Sequence, residues 1–131
     1  MEKIYTYQEL TTIGEQNPEI LMNLVEQDKL DIGQLLHCVE FLGDNTHILN
    51  EKTLETLRNY ALKVLTEYKT SDLCLLEVCL VRVTDLFPVS HPMFEQIKTI
   101  VSIISTESSS EEIKQDAFYT LDDLFDKQIK N

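Results

Sequence analysis

SDLCLLEVCLVRVTDLF, residues 71–87, is the stretch whose reading decides the fold. Wound at about 100° per residue, it is apolar nearly all the way round. Leu73, Leu75, Leu76, Val78, Cys79, Leu80, Val83, Leu86 and Phe87 leave only a narrow polar stripe near Glu77, Thr84 and Asp85. A helix of this kind has to be covered on several sides, so it is expected to be the central element of an all-α domain, with the flanking segments as its cover. The stretch is too short for a membrane span and carries Glu77, Arg82 and Asp85.

The totals agree with a helical reading. The chain has 131 residues, room for one domain with a sizeable core, and its three glycines and three prolines are too few for the many turns of an all-β fold. Twenty-three acidic residues against 11 basic ones give a formal net charge of −12, which repels nucleic-acid backbones and anionic membrane surfaces. Such a charge fits a basic protein partner, or simply a solvated acidic coat. Cys38, Cys74 and Cys79 are odd in number, form no CxxC pair and lie on apolar helical stretches, so they are expected as small core residues in a reducing compartment. The opening MEKIYTYQEL has no basic segment followed by an apolar run, hence no signal peptide is read there and a cytoplasmic location is expected.

Working outward from the central stretch, Ser71 is expected to cap it and Pro88 to end it. Before it, Asn50 can cap a long helix with Leu54, Leu57, Ala61, Val64, Leu65 and Tyr68 on its apolar face and Glu55, Arg58, Asn59, Lys63 and Glu67 on the wet one. Residues 44–50 read as a loop. Asp31 caps a helix burying Ile32, Leu35, Leu36, Val39 and Leu42 and ending at Gly43, and Asn17-Pro18 starts one burying Ile20, Leu21, Leu24 and Val25 as far as Asp28. Thr6 with Glu9 forms a capping box for a first helix carrying Tyr7, Leu10 and Ile13, which Gly14 is expected to stop. After the central stretch, Ser90 and Pro92 start a helix with Met93, Ile97, Ile100, Val101 and Ile104 inside. Thr106 to Ser110 is read as a loop, and Ser109 with Glu112 as the capping box of a last helix burying Ile113, Ala117, Leu121, Leu124 and Phe125.

These segments pair as short-linked helical hairpins whose second members superpose. With Phe41, Leu86 and Leu124 in register, Cys38, Val83 and Leu121 align, as do Gln34, Cys79 and Ala117, and Leu30, Leu75 and Ile113. Among the first members, Leu57 aligns with Ile97, Ala61 with Val101 and Val64 with Ile104, a spacing within the roughly 40 to 47 residues of HEAT-type repeats. The pattern resembles HEAT or related α-helical repeats. That resemblance implies a single helical domain over 1–131, with three helix pairs over 17–127 and an N-terminal capping helix over 1–16. A short right-handed stack of six to seven helices in antiparallel pairs is the expected architecture, with a compact bundle as its alternative.

The same superposition places Glu40, Asp85 and Asp123 at one position of three successive second helices. In helical-repeat proteins those helices line the concave face, so the resemblance implies an acidic column there, which Glu77, Tyr119 and Asp122 can extend. Carboxylates so arrayed suit the guanidinium and ammonium groups of a basic partner. Tyr5, Tyr7, Phe41 and Tyr119 lie at the edges of their helices' apolar faces, as interface anchors or as cover for a small core.

Other constellations carry less chemistry. DDLFD, with Asp122, Asp123 and Asp126, has the DDxxD spacing of the magnesium motif of terpene and prenyl synthases, but the second metal motif of those enzymes is missing. Glu111 and Glu112 resemble the first half of the magnesium site of all-α nucleotide pyrophosphohydrolases, whose downstream ExxD is absent here, and the helix dipole already accounts for them. His37-Cys38, with His47, Cys74 and Cys79 elsewhere, lacks zinc-ligand spacing, and His37 is expected on the wet side of its helix. No cofactor, metal or catalytic residue is therefore expected. The reading is a non-enzymatic module that binds a basic protein partner, similar to bacterial immunity proteins that mask a basic toxin domain. A small acidic secretion or assembly chaperone is the alternative, followed by a magnesium-dependent enzyme using DDLFD. Oligomeric state is left open by the sequence.

Overall fold

The computed structural model describes residues 5–130. Its regular elements are helices: α1 Tyr7–Gln16, α2 Pro18–Glu26, α3 Ile32–Asp44, α4 Glu51–Thr66, α5 Leu73–Leu86, α6 Phe94–Glu107 and α7 Glu111–Lys130. A single 3₁₀ turn, Thr46–Ile48, interrupts the loop before α4. The first four residues of the capping helix expected over 1–16 lie outside the described residues. By its contacts the chain divides into two compact units, Met1–Leu57 and Arg58–Asn131, and the boundary falls inside α4.

In the first unit α1, α2 and α3 pack pairwise against one another. The Thr6 hydroxyl accepts from the Glu9 amide and the Glu9 carboxylate accepts from the Thr6 amide, the reciprocal box read from the sequence. Asp31 and Gln34 form a second such box on α3. Gly14 does not stop α1. It is buried inside the helix, where a Cβ would lie 2.5 Å from Cε1 of Phe41 and 2.8 Å from Cδ2 of Leu21, so its role is close approach. Asn17 precedes Pro18 at the start of α2 but its side chain makes no capping bond. Gly43 likewise lies inside α3, buried, and Ile20 and Ile32 are exposed rather than cored, while Met22, outside the expected set, is buried.

The second unit is built on α7, which packs against both α5 and α6. The side chain of Thr120 donates to the Leu80 carbonyl at 3.1 Å and that of Lys127 to the Thr84 carbonyl at 2.6 Å. Both contacts advance in the same sense along the two helices, so α5 and α7 run parallel. The Lys98 ammonium, early in α6, reaches Oε1 of Gln128, late in α7, so that pair is antiparallel. The Arg58 guanidinium donates to the Leu86 carbonyl, joining the middle of α4 to the end of α5. Helices that superpose in sequence as second members of their pairs, α5 and α7, are thus side-by-side neighbours.

The core of this unit is Ala61, Val64, Leu65, Leu75, Leu76, Cys79, Leu80, Val83, Leu86, Phe87, Phe94, Ile97, Val101, Ile104, Ile113, Ala117 and Leu124. Two caps fall one residue from their expected places. The Ser71 hydroxyl turns back to the carbonyls of Val64 and Glu67 at the end of α4, and Asp72 caps α5 by accepting from the amides of Cys74 and Leu75. Ser110 rather than Ser109 accepts from the Ile113 amide at the start of α7, while Ser108 turns back to its own loop. Likewise α6 starts at Phe94, with His91 Nδ1 accepting from the Met93 amide. Asp72→Ala is expected to cost about 1 kcal/mol of stability whereas Ser109→Ala leaves stability unchanged within about 0.5 kcal/mol, a contrast that urea denaturation reads directly.

Candidate protein-binding surface

The solvent side of α5 is a stripe at four-residue spacing: Leu73, Glu77, Val81 and Asp85. Leu73 and Val81 are 52% and 53% exposed. The central helix is therefore covered on its remaining sides but carries two bare aliphatic side chains between two carboxylates. Asp85 meets Arg82 at 3.8 Å, a long and half-exposed pairing of small energetic weight. Glu77 makes no ion pair among the described residues.

Helical geometry divides the solvent side of α7 in two. Thr120 and Lys127 face α5, and at about 100° per residue Asp116, Asp123, Glu112 and Tyr119 follow outward from that edge. Leu121 and Phe125 line the groove towards α6, and Phe118, Ile129 and Asp122 follow outward from that edge. Asp122 and Asp123, adjacent in sequence, thus serve different faces. Glu112, Asp116, Asp122 and Asp123 form no ion pair among the described residues. Tyr119 is exposed, its hydroxyl accepting from the Gln115 amide and its ring meeting that of Phe118 edge-on.

The six residues singled out in the sequence are all exposed, and they divide between the two units. Glu77, Asp85, Tyr119, Asp122 and Asp123 belong to the second unit, and Glu40 sits on α3 in the first. Within the second unit Asp85 and Asp123 lie on parallel neighbouring helices, and Asp122 turns away from them. Among the described residues no group of three or more His, Cys, Asp or Glu is placed to hold a metal ion. Asp126 of DDLFD is spanned by Lys130 at 3.7 Å and Glu111 by Lys114 at 3.5 Å.

No protein-family model, curated protein or solved structure matches this chain. The surface has to be read from its own chemistry. Two further sequence expectations need revision on that surface. His37 is not a solvated side chain: it is half-buried, stacked on Tyr7 with ring centroids 5.2 Å apart, and its Nε2 lies 2.8 Å from the Thr11 hydroxyl. Cys74 is exposed rather than cored, next to the α5 stripe, whereas Cys38 and Cys79 are buried.

Burial pushes the Cys38 thiol up from 9.0 to about 11 and the Cys79 thiol up to about 12. Both thiols are kept protonated by the fold, so their contribution to stability is complete below pH 9 and is lost as pH rises through about 11 to 12. A thiol-reactive chromophore at pH 8 is expected to modify Cys74 alone in the folded protein and all three cysteines after denaturation.

The residues that sequence reasoning missed are the exposed apolar ones, Val81, Phe118 and Ile103. The pair Phe118-Tyr119 held a usable signal. Two adjacent aromatics on a helix cannot share the buried face, since successive side chains diverge by about 100°.

Proposed function

We propose that this protein is a non-enzymatic binding module that takes a basic protein partner on the face formed by α5 and α7. The observation that carries the proposal is the interleaving on that face of carboxylates that form no ion pair among the described residues, Glu77, Glu112, Asp116 and Asp123, with exposed Leu73, Val81 and Tyr119. Carboxylates already neutralised by the protein's own lysines would have little to offer a partner. Among the described residues these are not, and the aliphatic and aromatic side chains beside them supply contact area that a merely solvated face has no reason to expose. Partner lysines and arginines would be drawn in by the overall charge of −12 and held at these carboxylates.

Within this reading, the specific role we propose is that of an immunity-type protein, acting in the cytoplasm by covering the active site of a basic toxin domain. No helix among the described residues is long and apolar enough to cross a membrane.

The test is affinity isolation from the source organism's lysate at low salt, with a high-salt wash, run in parallel on the wild type and on Glu77→Lys/Asp85→Lys/Asp123→Lys. A basic protein is expected to be held by the wild type and released by salt, and its affinity for the variant is expected to fall by a factor of about 10 to 100. The three side chains are exposed, so the variant keeps its fold, which circular dichroism verifies. A partner retained equally by both proteins would remove α5 and α7 as the binding face. Glu40→Lys, made separately, reports whether the first unit contributes.

A further inference from the structure

A small recess of about 80 Å³ lies in the first unit, between one stripe of α2 and the start of α4, and we infer that it receives the guanidinium head of an arginine side chain presented by a protein partner. On α2 the stripe is Glu19, Met22, Asn23 and Glu26, residues spaced by three and four and so on one side of the helix. From α4 come Lys52, Thr53 and Thr56. The observation that points to a ligand is Thr53. It is 3% exposed, and its hydroxyl has no hydrogen-bond partner among the described residues. A helical threonine commonly donates to the carbonyl four residues back, as Thr11, Thr12, Thr56 and Thr99 do here. For Thr53 that carbonyl belongs to Leu49, which lies before the helix in extended backbone. The Thr53 amide is held by the Asn50 side chain, so the residue is fixed on the wall of the recess with its hydroxyl unspent. A buried hydroxyl left so costs stability until something reaches it.

The lining defines the chemistry of the occupant. Two carboxylates, Glu19 and Glu26, stand against one ammonium, that of Lys52, which lies 3.5 Å from Glu19. The recess thus carries one net negative charge, which a single cation cancels and an anion would double. Glu26 is exposed and forms no ion pair among the described residues, so it is the carboxylate available to that cation. The polar atoms on offer are also acceptors. The Thr56 hydroxyl already gives its hydrogen to the Lys52 carbonyl at 2.9 Å, so towards the recess it can only accept. The Thr53 hydroxyl, the Asn23 carbonyl oxygen and the Glu26 carboxylate can accept as well, a set spread over both helices. Met22, 1% exposed, makes part of the lining apolar. A guanidinium carries several N–H donors in one plane and is weakly hydrated, so it suits acceptors set around an apolar wall. A lysine ammonium is a strongly hydrated point charge and would shed water there for less in return.

The site shares no residue with the α5 and α7 face. Only the arrival of the arginine on a protein rests on the basic-partner reading, and the titration that tests the site needs no partner. The probe is N-acetyl-arginine N-methylamide, an arginine side chain on an uncharged peptide backbone, added at constant ionic strength to the isotope-labelled full chain and followed by amide chemical shifts. Saturable shifts are expected at Asn23, Thr53 and Thr56 with a dissociation constant of about 1 to 10 mM, and the matching lysine derivative is expected to bind about fivefold more weakly. Glu26→Gln, at an exposed position, should weaken arginine binding about tenfold. Thr53→Val should do the same while leaving the melting temperature unchanged or raised, because valine brings no polar group to be buried. Thr53→Val that is less stable, with no arginine shifts in the wild type, would mean that the hydroxyl serves the fold through an enclosed water, and overturns the inference. So do shifts that the lysine derivative matches, or that Glu26→Gln and Thr53→Val leave unaltered. Free arginine, whose α-carboxylate meets Glu19 and Glu26, is expected to bind more weakly than the blocked form, and the reverse order would assign the recess to a free amino acid and overturn the protein-borne occupant. Arginine binding as expected, with a lysate partner held equally by Glu77→Lys/Asp85→Lys/Asp123→Lys, supports the recess and counts against the α5 and α7 face alone.

Discussion

Leu80→Ala is expected to destabilise the protein by about 3 to 4 kcal/mol, a large part of the roughly 5 to 15 kcal/mol that a domain of this size has. Leu80 has no solvent exposure and lies on α5 at the level where Thr120 of α7 donates to its carbonyl. Truncation there loses the transfer free energy of the deleted carbons and also leaves a cavity, because two helices tied together through side chain and backbone cannot easily close the gap. The melting temperature should fall by about 10 to 15 °C. Val81→Ala, one residue on but half in solvent, should change stability by less than about 0.5 kcal/mol. Urea denaturation of the two variants makes the comparison within one helix turn. Equal losses, or a loss at Leu80 under about 1 kcal/mol, would mean that α5 does not pack on α7 as described.

Gly14→Val is expected to cost about 3 kcal/mol, and here the cause is excess volume. A Cβ at position 14 would lie 2.5 Å from Cε1 and 2.8 Å from Cδ1 of Phe41, and 2.8 Å from Cδ2 of Leu21. Leu21 has no exposure and no room to retreat, while the Phe41 ring is half-buried and can move only by giving up its packing on α1. Against this stands the helix-propensity gain over glycine, roughly 1 kcal/mol for alanine and about half of that or less for β-branched valine. Gly14→Ala therefore shows a smaller loss than valine, and Phe41→Ala should reduce it further by removing the ring that the new methyl strikes. A double-mutant cycle measures that coupling. Additive losses from Gly14→Ala and Phe41→Ala would show that the ring and the glycine are not in contact.

What was legible in the sequence was whatever local chemistry alone decides. The capping boxes at Thr6 and Asp31 and the cap at Asn50 are contacts spanning three residues, and all three form. The all-helical class follows from the same signals together with the 3.6-residue periodicity. Ser71 and Ser109 show where local chemistry stops being enough. Each has a neighbour equally able to cap, and at Ser71 the hydroxyl turns back to the preceding helix, where it donates to the Val64 and Glu67 carbonyls.

Periodicity also reports that a side is apolar without reporting that anything covers it. Ile20, Ile32, Leu73 and Phe125 satisfy the pattern and yet face solvent. The acidic positions were visible as an alignment, but an alignment of helices carries no azimuth. That Asp123 turns towards α5 and Asp122 away from it needed the contacts of Thr120 and Lys127.

The boundary between the two compact units, falling after Leu57 inside α4, bears on how the protein can be taken apart. A fragment beginning at Arg58 would open in mid-helix, with its first amides bare and without the Asn50 side chain that terminates the helix in the whole protein. One beginning at Asn50 would bring its own terminator and a full turn of lead-in. Anyone seeking to express the second unit alone, or to insert a tag or a recognition sequence, should therefore cut at the loop before α4 and leave the helix itself whole.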